Sequence, residues 1–472
     1  MKKKVWIGIL CVVVLGAVAY GCYRAFASDS YLYALPSRPK VLVAVDWPKL
    51  ADDSGLGMDG LAALCPGRKE QPKGIDWKKK SYLFVSAKEY VGLLAPVSDA
   101  DELAAWLGKV AEDGKCSVPE ERNGRYWTVW DGSWMVGFDD RALLAIGPGM
   151  AAEMDVLRQE VTACLRQKKD ESGAASSLFA DVDGGDSACR LAAQLDVLSA
   201  LYGEDFMRGL PEHANLSDVN VVAGLNLMAN GFTLDAEIRS ENPEINTYFE
   251  QLAVLGGKID GDYAADVPAS ALGWCCMNVD GDKLLEQLRR NPAVRTFLLG
   301  LNMGVDADLM LRSIRGDLAV TIYPSVTSGA GFLLKARLED KDFLKEAPYW
   351  RESAARSGLA FKNLGGNHFF IATPGMRAYL GVEDKTLYVT PDEGLAMQVL
   401  GKKTQTLSGW EKEIKGSRFF LWCNLAQLRG VAGWPAGLDL FGDLVLRSSD
   451  ARHFTLDMRG TEGRNVWKEL LE

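Results

Sequence analysis

The chain has 472 residues, 48% of them hydrophobic and 25% charged, which is the composition of folded domains and excludes wholesale disorder. That length exceeds one ordinary core and makes room for two domains. A formal net charge of −10 removes attraction to nucleic acid or to anionic lipid headgroups as a basis for function.

Lys2-Lys3-Lys4 precedes an apolar run from Val5 to Tyr23 that ends at Arg24. A run of about 18 to 20 apolar residues spans a bilayer as a helix, and the lysines ahead of it keep the N-terminus cytoplasmic. Residues 1–24 are therefore expected to be a signal anchor or a lipoprotein signal, an N-terminal transmembrane or signal helix. The rest of the chain is then exported, periplasmic or extracytoplasmic, and held at the cell membrane. Cys22 stands where a lipoprotein cysteine stands and is the candidate for lipidation, although Tyr20 replaces the usual small residue. Residues 25–39 read as a tether.

A first α+β half covers 40–260. Residues 41–45 are a continuous apolar strand, followed by strands over 82–86 and 91–95. Ser98-Asp-Ala-Asp101 resembles a capping box, and Leu103, Trp106, Leu107 and Val110 recur at helical spacing. A three-stranded meander follows over 125–130, 133–138 and 142–146. Asp131-Gly132 signals a two-residue type I′ turn, whose central residues both need positive φ. Such a turn predicts Trp127 and Trp134 on one face of the hairpin and Trp130 on the other. A strand over 177–182, a helix over 187–202 and a hairpin of strands 219–228 and 232–239 come next. Phe232, Leu234, Ala236 and Ile238 alternate with Thr233, Asp235, Glu237 and Arg239, so this last strand has one wet face. Pro243 opens a closing amphipathic helix.

The second half, 261–472, repeats that order. Gly124-Arg-Tyr-Trp-Thr-Val-Trp130 and Gly137-Phe-Asp-Asp-Arg-Ala-Leu143 recur as Gly366-Asn-His-Phe-Phe-Ile-Ala372 and Gly381-Val-Glu-Asp-Lys-Thr-Leu387. In that comparison Trp127 aligns with Phe369 and Trp130 with Ala372. Phe232-Thr-Leu-Asp235 likewise recurs as Phe454-Thr-Leu-Asp457. Strands joined by hairpins, with helices between groups, predict an α+β fold: internally duplicated antiparallel sheets with helices packed on one face.

Residues suited to chemistry are few. Asp181-Val-Asp-Gly-Gly-Asp186 has the oxygen spacing that opens a calcium loop, but Ala192 stands where a closing glutamate belongs. Asp46 and Asp280 sit at comparable strand-to-helix corners, where a carboxylate caps the helix. Gly55-Leu-Gly-Met-Asp-Gly60 matches a dinucleotide spacing yet begins ten residues after its strand, so it reads as a flexible loop. The cysteines after Arg24 are scattered, form no Cys-x-x-Cys pair and read as small buried hydrophobes. No catalytic residue, cofactor or metal is expected. Trp130, on the face opposite the packing tryptophans, is the candidate for ligand contact.

The N-terminal apolar run, the opening Pro36-Ser-Arg-Pro-Lys-Val-Leu-Val-Ala-Val-Asp46 and the duplicated Phe-Thr-Leu-Asp strands resemble a family of bacterial membrane-anchored envelope proteins catalogued as a domain of unknown function. The resemblance implies localisation and class and carries no catalytic residues. The function expected is that of a non-catalytic, membrane-anchored protein that binds or scaffolds another envelope component, with no nucleic-acid partner. A binding module for a lipid, glycan or peptide between the two halves is a second reading. An uncharacterised hydrolase is a third, and needs His213, His368 or His453 against a serine, cysteine or carboxylate in a cleft.

Overall fold

The computed structural model describes residues 29–63, 72–197, 215–253, 255–325, 329–373, 376–398, 410–429, 438–460 and 463–470. The expected leader over 1–24, with Cys22, lies outside the described residues, as does His213. Among the described residues no helix is long and apolar enough to cross a membrane. The chain divides into two compact units, one built from residues before 198 together with Asn215–Ala229, the other from 230–470.

The first unit contains β1 (Val41–Val45), β2 (Ser81–Val85), β3 (Val91–Pro96), β4 (Glu120–Arg122), β5 (Arg125–Trp130), β6 (Trp134–Phe138), β7 (Ala142–Gly147), β8 (Cys189–Gln194) and β9 (Val219–Met228). They pair antiparallel in the order β4-β5-β6-β7-β3-β2-β1-β8-β9. On one face Leu42, Tyr82, Leu94 and Leu144 pack with Leu157 and Val161 of the helix Met154–Arg166. On the other, Val136, Phe138 and Leu143 pack with Leu103 and Leu107 of the helix Ala100–Glu112. Helices thus cover both faces, where one was expected. The cause is legible in β6 and β7, whose side chains are apolar at consecutive positions and so need cover on each side. Asp99 starts the second helix by accepting the Glu102 N–H at 2.9 Å.

Two elements expected near residue 180 exchange types. Ser177–Asp183 is a helix, because Ser176 accepts the Phe179 N–H at 3.2 Å and Leu178 and Val182, one turn apart, are both buried. Cys189–Gln194, expected to be helical, is β8, held between β1 and β9. The ladders on both sides override the helix propensity of its alanines. Gly55–Gly60 is not a loop either: Gly55, at φ +66°, ends the helix Trp47–Ser54, and a second helix covers Gly57–Ala63.

The second unit contains β10 (Gly231–Ser240), β11 (Gly273–Asp280), β12 (Ile314–Ser325), β13 (Gly329–Leu338), β14 (Ala360–Gly365), β15 (His368–Thr373), β16 (Met376–Glu383), β17 (Thr386–Thr390), β18 (Phe419–Asn424), β19 (Phe441–Ser448) and β20 (His453–Gly460). Their order is β14-β15-β16-β17-β13-β12-β11-β18-β19-β20-β10, again antiparallel. From β14 to β19 this is the strand order of the first unit, the structural form of the sequence repeat. One residue of slip separates the two in the meander. Trp127 lies under the Arg158 guanidinium of the helix that follows its meander, whereas Phe369 packs at 5.2 Å on Trp350 of the helix that precedes its own. The aligned pair therefore faces opposite ways.

Candidate functional site

A cavity of about 430 Å³ lies on the face of the first-unit sheet that carries the helix Ala100–Glu112. Its floor follows from strand register. Leu83 lies across from Leu93, Leu93 from Ala145, and Ala145 from Val136, so four apolar side chains form one row across four strands. Leu103, Trp106 and Leu107 make one wall, Trp47 with residues between Pro72 and Trp77 another, and Trp130 with Trp134 a third.

The tryptophans hold one another. Trp106 stacks on Trp130 with ring centroids 6.5 Å apart and planes at 12°, and Trp47 meets Trp77 edge to face at 5.7 Å. The Trp47 N–H donates to the Ser81 hydroxyl at 3.0 Å and the Trp77 N–H to the Pro72 carbonyl at 3.2 Å. Two indole donors are thereby used within the protein. Among the described lining residues none carries a charge, and Ser81 is the single hydroxyl. Leu83 is 43% exposed although its strand is sixth of nine in the sheet. Leu83 thus leaves part of the cavity floor open to solvent.

Trp130, the residue suspected from sequence, is in the wall of this cavity. Trp134 was expected beside Trp127, and that is overturned. The turn holds three residues: Asp131 and Gly132 have the positive φ of the expected turn, at 48° and 65°, but Ser133 is added before β6 begins. One extra residue turns the strand over, so Trp134 lies across from Trp130 and Trp127 faces the opposite core. Trp47, Trp77 and Trp106 were missed as site residues. Trp106 belonged to a helical apolar stripe, which reads as core, and nothing in Trp47 or Trp77 alone indicates a shared cavity.

Other candidates are weaker. Asp46 and Asp280 cap helices, accepting the Lys49 and Lys283 N–H groups at 3.0 and 3.4 Å. Asp183, in contrast, ends its helix, where it accepts the Tyr82 hydroxyl at 3.1 Å and pairs with Lys80 at 3.6 Å, so the capping role expected for the Asp181–Asp186 stretch does not apply. Among the described residues no three metal-ligating side chains converge. A polar groove in the second unit contains Arg315 and Arg337, but Arg337 pairs with Asp260 at 3.3 Å and Asp262 at 3.0 Å, and Arg315 with Glu339 at 3.1 Å and with Asp280. Its charges are mutually satisfied. His368 bonds to the Tyr388 hydroxyl at 2.9 Å. His453 bonds to Asp450 at 2.7 Å and lies 3.4 Å from Glu237 on an exposed hairpin end. The Arg239 guanidinium holds the Glu237 carboxyl below its usual range. Neither histidine reaches a serine or cysteine among the described residues, and His453, which does reach the carboxylates of Asp450 and Glu237, is exposed and not in a cleft.

The family described as Domain of unknown function (DUF4836) matches residues 68–429, and the chain belongs to it. No curated protein and no solved structure matches the chain.

Proposed function

We propose that this member of the family is a non-catalytic, membrane-anchored bacterial envelope protein whose first unit binds an apolar group of another envelope component. The observation that carries this reading is the tryptophan-lined cavity, whose floor leaves Leu83 exposed in mid-sheet. Its volume lies within the range of about 300 to 1,000 Å³ common among ligand sites, and its lining is of the aromatic and aliphatic kind such sites use. The lack of any charged group among the described lining residues supports binding over proton transfer or nucleophilic chemistry. The anchor and export rest on Lys2-Lys3-Lys4 and the apolar run after them.

The reading is tested by titrating the full chain, kept in amphipol, with the apolar fluorophore 1-anilinonaphthalene-8-sulfonate. Energy transfer from tryptophan is expected to saturate at one site per chain and to fall at least tenfold in affinity in Ala145→Phe, which fills the floor. Absence of saturable binding, or binding that Ala145→Phe leaves unchanged, would refute it.

A further inference from the structure

Resting on that reading, we infer that the cavity takes one linear hydrocarbon chain, the tail of an acyl lipid or free fatty acid, and not a sugar or a peptide. The floor is elongated: Leu83, Leu93, Ala145 and Val136 stand on four neighbouring strands, and three inter-strand steps of about 4.8 Å make a row about 14 Å long. A volume of about 430 Å³ is about fourteen times the ~30 Å³ that one water occupies in the liquid, room for a chain of about a dozen carbon-sized groups.

The polar inventory favours a hydrocarbon over either alternative. A sugar carries a hydroxyl on most ring carbons and a peptide an N–H and C=O at nearly every residue, and each group taken into the cavity loses its water partners. The wall has little to return. Of five indoles in the lining, Trp47 and Trp77 spend their donors on Ser81 and Pro72, and Ser81, the only hydroxyl among the described lining residues, is 2% exposed. At most the N–H groups of Trp106, Trp130 and Trp134 are left to offer, and among the described lining residues no side-chain acceptor is exposed beside them. Methylene groups ask for no such partner and gain from every contact with Leu83, Leu93 and the indole faces.

Displacement of the fluorophore from the full chain by fatty acids of six to fourteen carbons tests this. Affinity should rise about three- to fourfold with each methylene, the value of burying one, and level off near twelve carbons when the cavity is full. Ala145→Phe should weaken dodecanoate at least tenfold and move the plateau to shorter chains. Leu83→Lys, at an already exposed floor position, should do the same and serves if Ala145→Phe fails to fold. Displacement by dodecanoate alone assigns the free acid, and equal displacement by lauroyl lysophosphatidylglycerol assigns a lipid tail; both sustain the inference. Fluorophore binding that no fatty acid displaces, displacement without dependence on chain length, or displacement by a chito-oligosaccharide would overturn the inference while leaving the apolar site standing. Failure of the fluorophore itself to bind would instead remove the underlying reading.

Discussion

Thr233 on β10 donates its hydroxyl to Asp457 on β20 at 2.7 Å, and Thr455 donates to Asp235 at 2.8 Å, so the two copies of the Phe-Thr-Leu-Asp segment bind each other through the same bond made in both directions. Leu234 faces Leu456 at the centre of the register. An antiparallel pair of like strands has a local twofold axis, and duplication supplies both partners from one chain. The surroundings of the two bonds differ. Asp457 is 3% exposed, with Arg447 at 3.4 Å and Arg459 at 3.9 Å, while Asp235 is exposed.

That asymmetry predicts unequal costs for equal substitutions. Asp457→Ala leaves Thr233 and Arg447 without their buried partner and should lower stability by about 1 to 3 kcal/mol. Asp235→Ala, at the surface, should change it by no more than about 0.5 kcal/mol. Urea midpoints of the two variants make the comparison, and equal shifts would contradict it.

The two faces of the β5–β6 hairpin separate stability from binding. Trp127, at 8% exposure, packs against the helix Met154–Arg166, and Trp127→Ala should cost about 3 to 5 kcal/mol. Trp130 is half-buried and loses mainly its stack on Trp106, so Trp130→Ala should cost about 1 to 3 kcal/mol. Only Trp130→Ala should weaken binding of the fluorophore by the molecules that remain folded. Thermal denaturation and titration on the same samples check both parts.

Stability should decline in alkali. Burial pushes the Cys164 thiol from its ordinary 9.0 up to about 12 and the Cys189 thiol up to about 11. Above about pH 9 the unfolded chain has lost these protons while the folded chain keeps them, so the unfolded state binds fewer protons and stability falls as pH rises. The contribution is complete below about pH 9 and is lost toward pH 12. Urea midpoints at several pH values should show this decline, with a shallower slope in Cys164→Ala. Burial keeps the Cys164 thiol protonated and out of reach at pH 8, so iodoacetamide should label it only after unfolding.

At the N-terminus, Cys22→Ala is expected to leave the chain in the membrane fraction, because the run from Val5 to Tyr23 is long enough to anchor by itself. Fractionation with parallel acyl labelling measures this. Release of the chain together with loss of label would reassign the anchor to lipid on Cys22.

Sequence periodicity revealed the meanders, the helix over Leu103 and Leu107 and the β9 and β10 strands, because their hydrophobic spacing and their turns agree. It failed at Ser177–Gln194, where short apolar runs suit either element and only the ladders to β1 and β9 decide. Trp130 was legible as a residue facing away from its neighbour Trp127. The cavity was not, since Trp47, Trp77, Trp106 and Trp134 meet there only through register, and one inserted residue, Ser133, set the face of Trp134.

On the proposed reading, Leu83 forms the floor of a site that an acyl chain fills in the cell. Placing the photo-crosslinker benzoylphenylalanine at position 83 in intact cells, with the 72% exposed position 118 as the surface control, tests it most directly. The predicted result is a discrete acyl-bearing adduct at 83, absent at 118 and suppressed by Ala145→Phe. No adduct at 83, or the same products at both positions, would refute acyl binding at this floor.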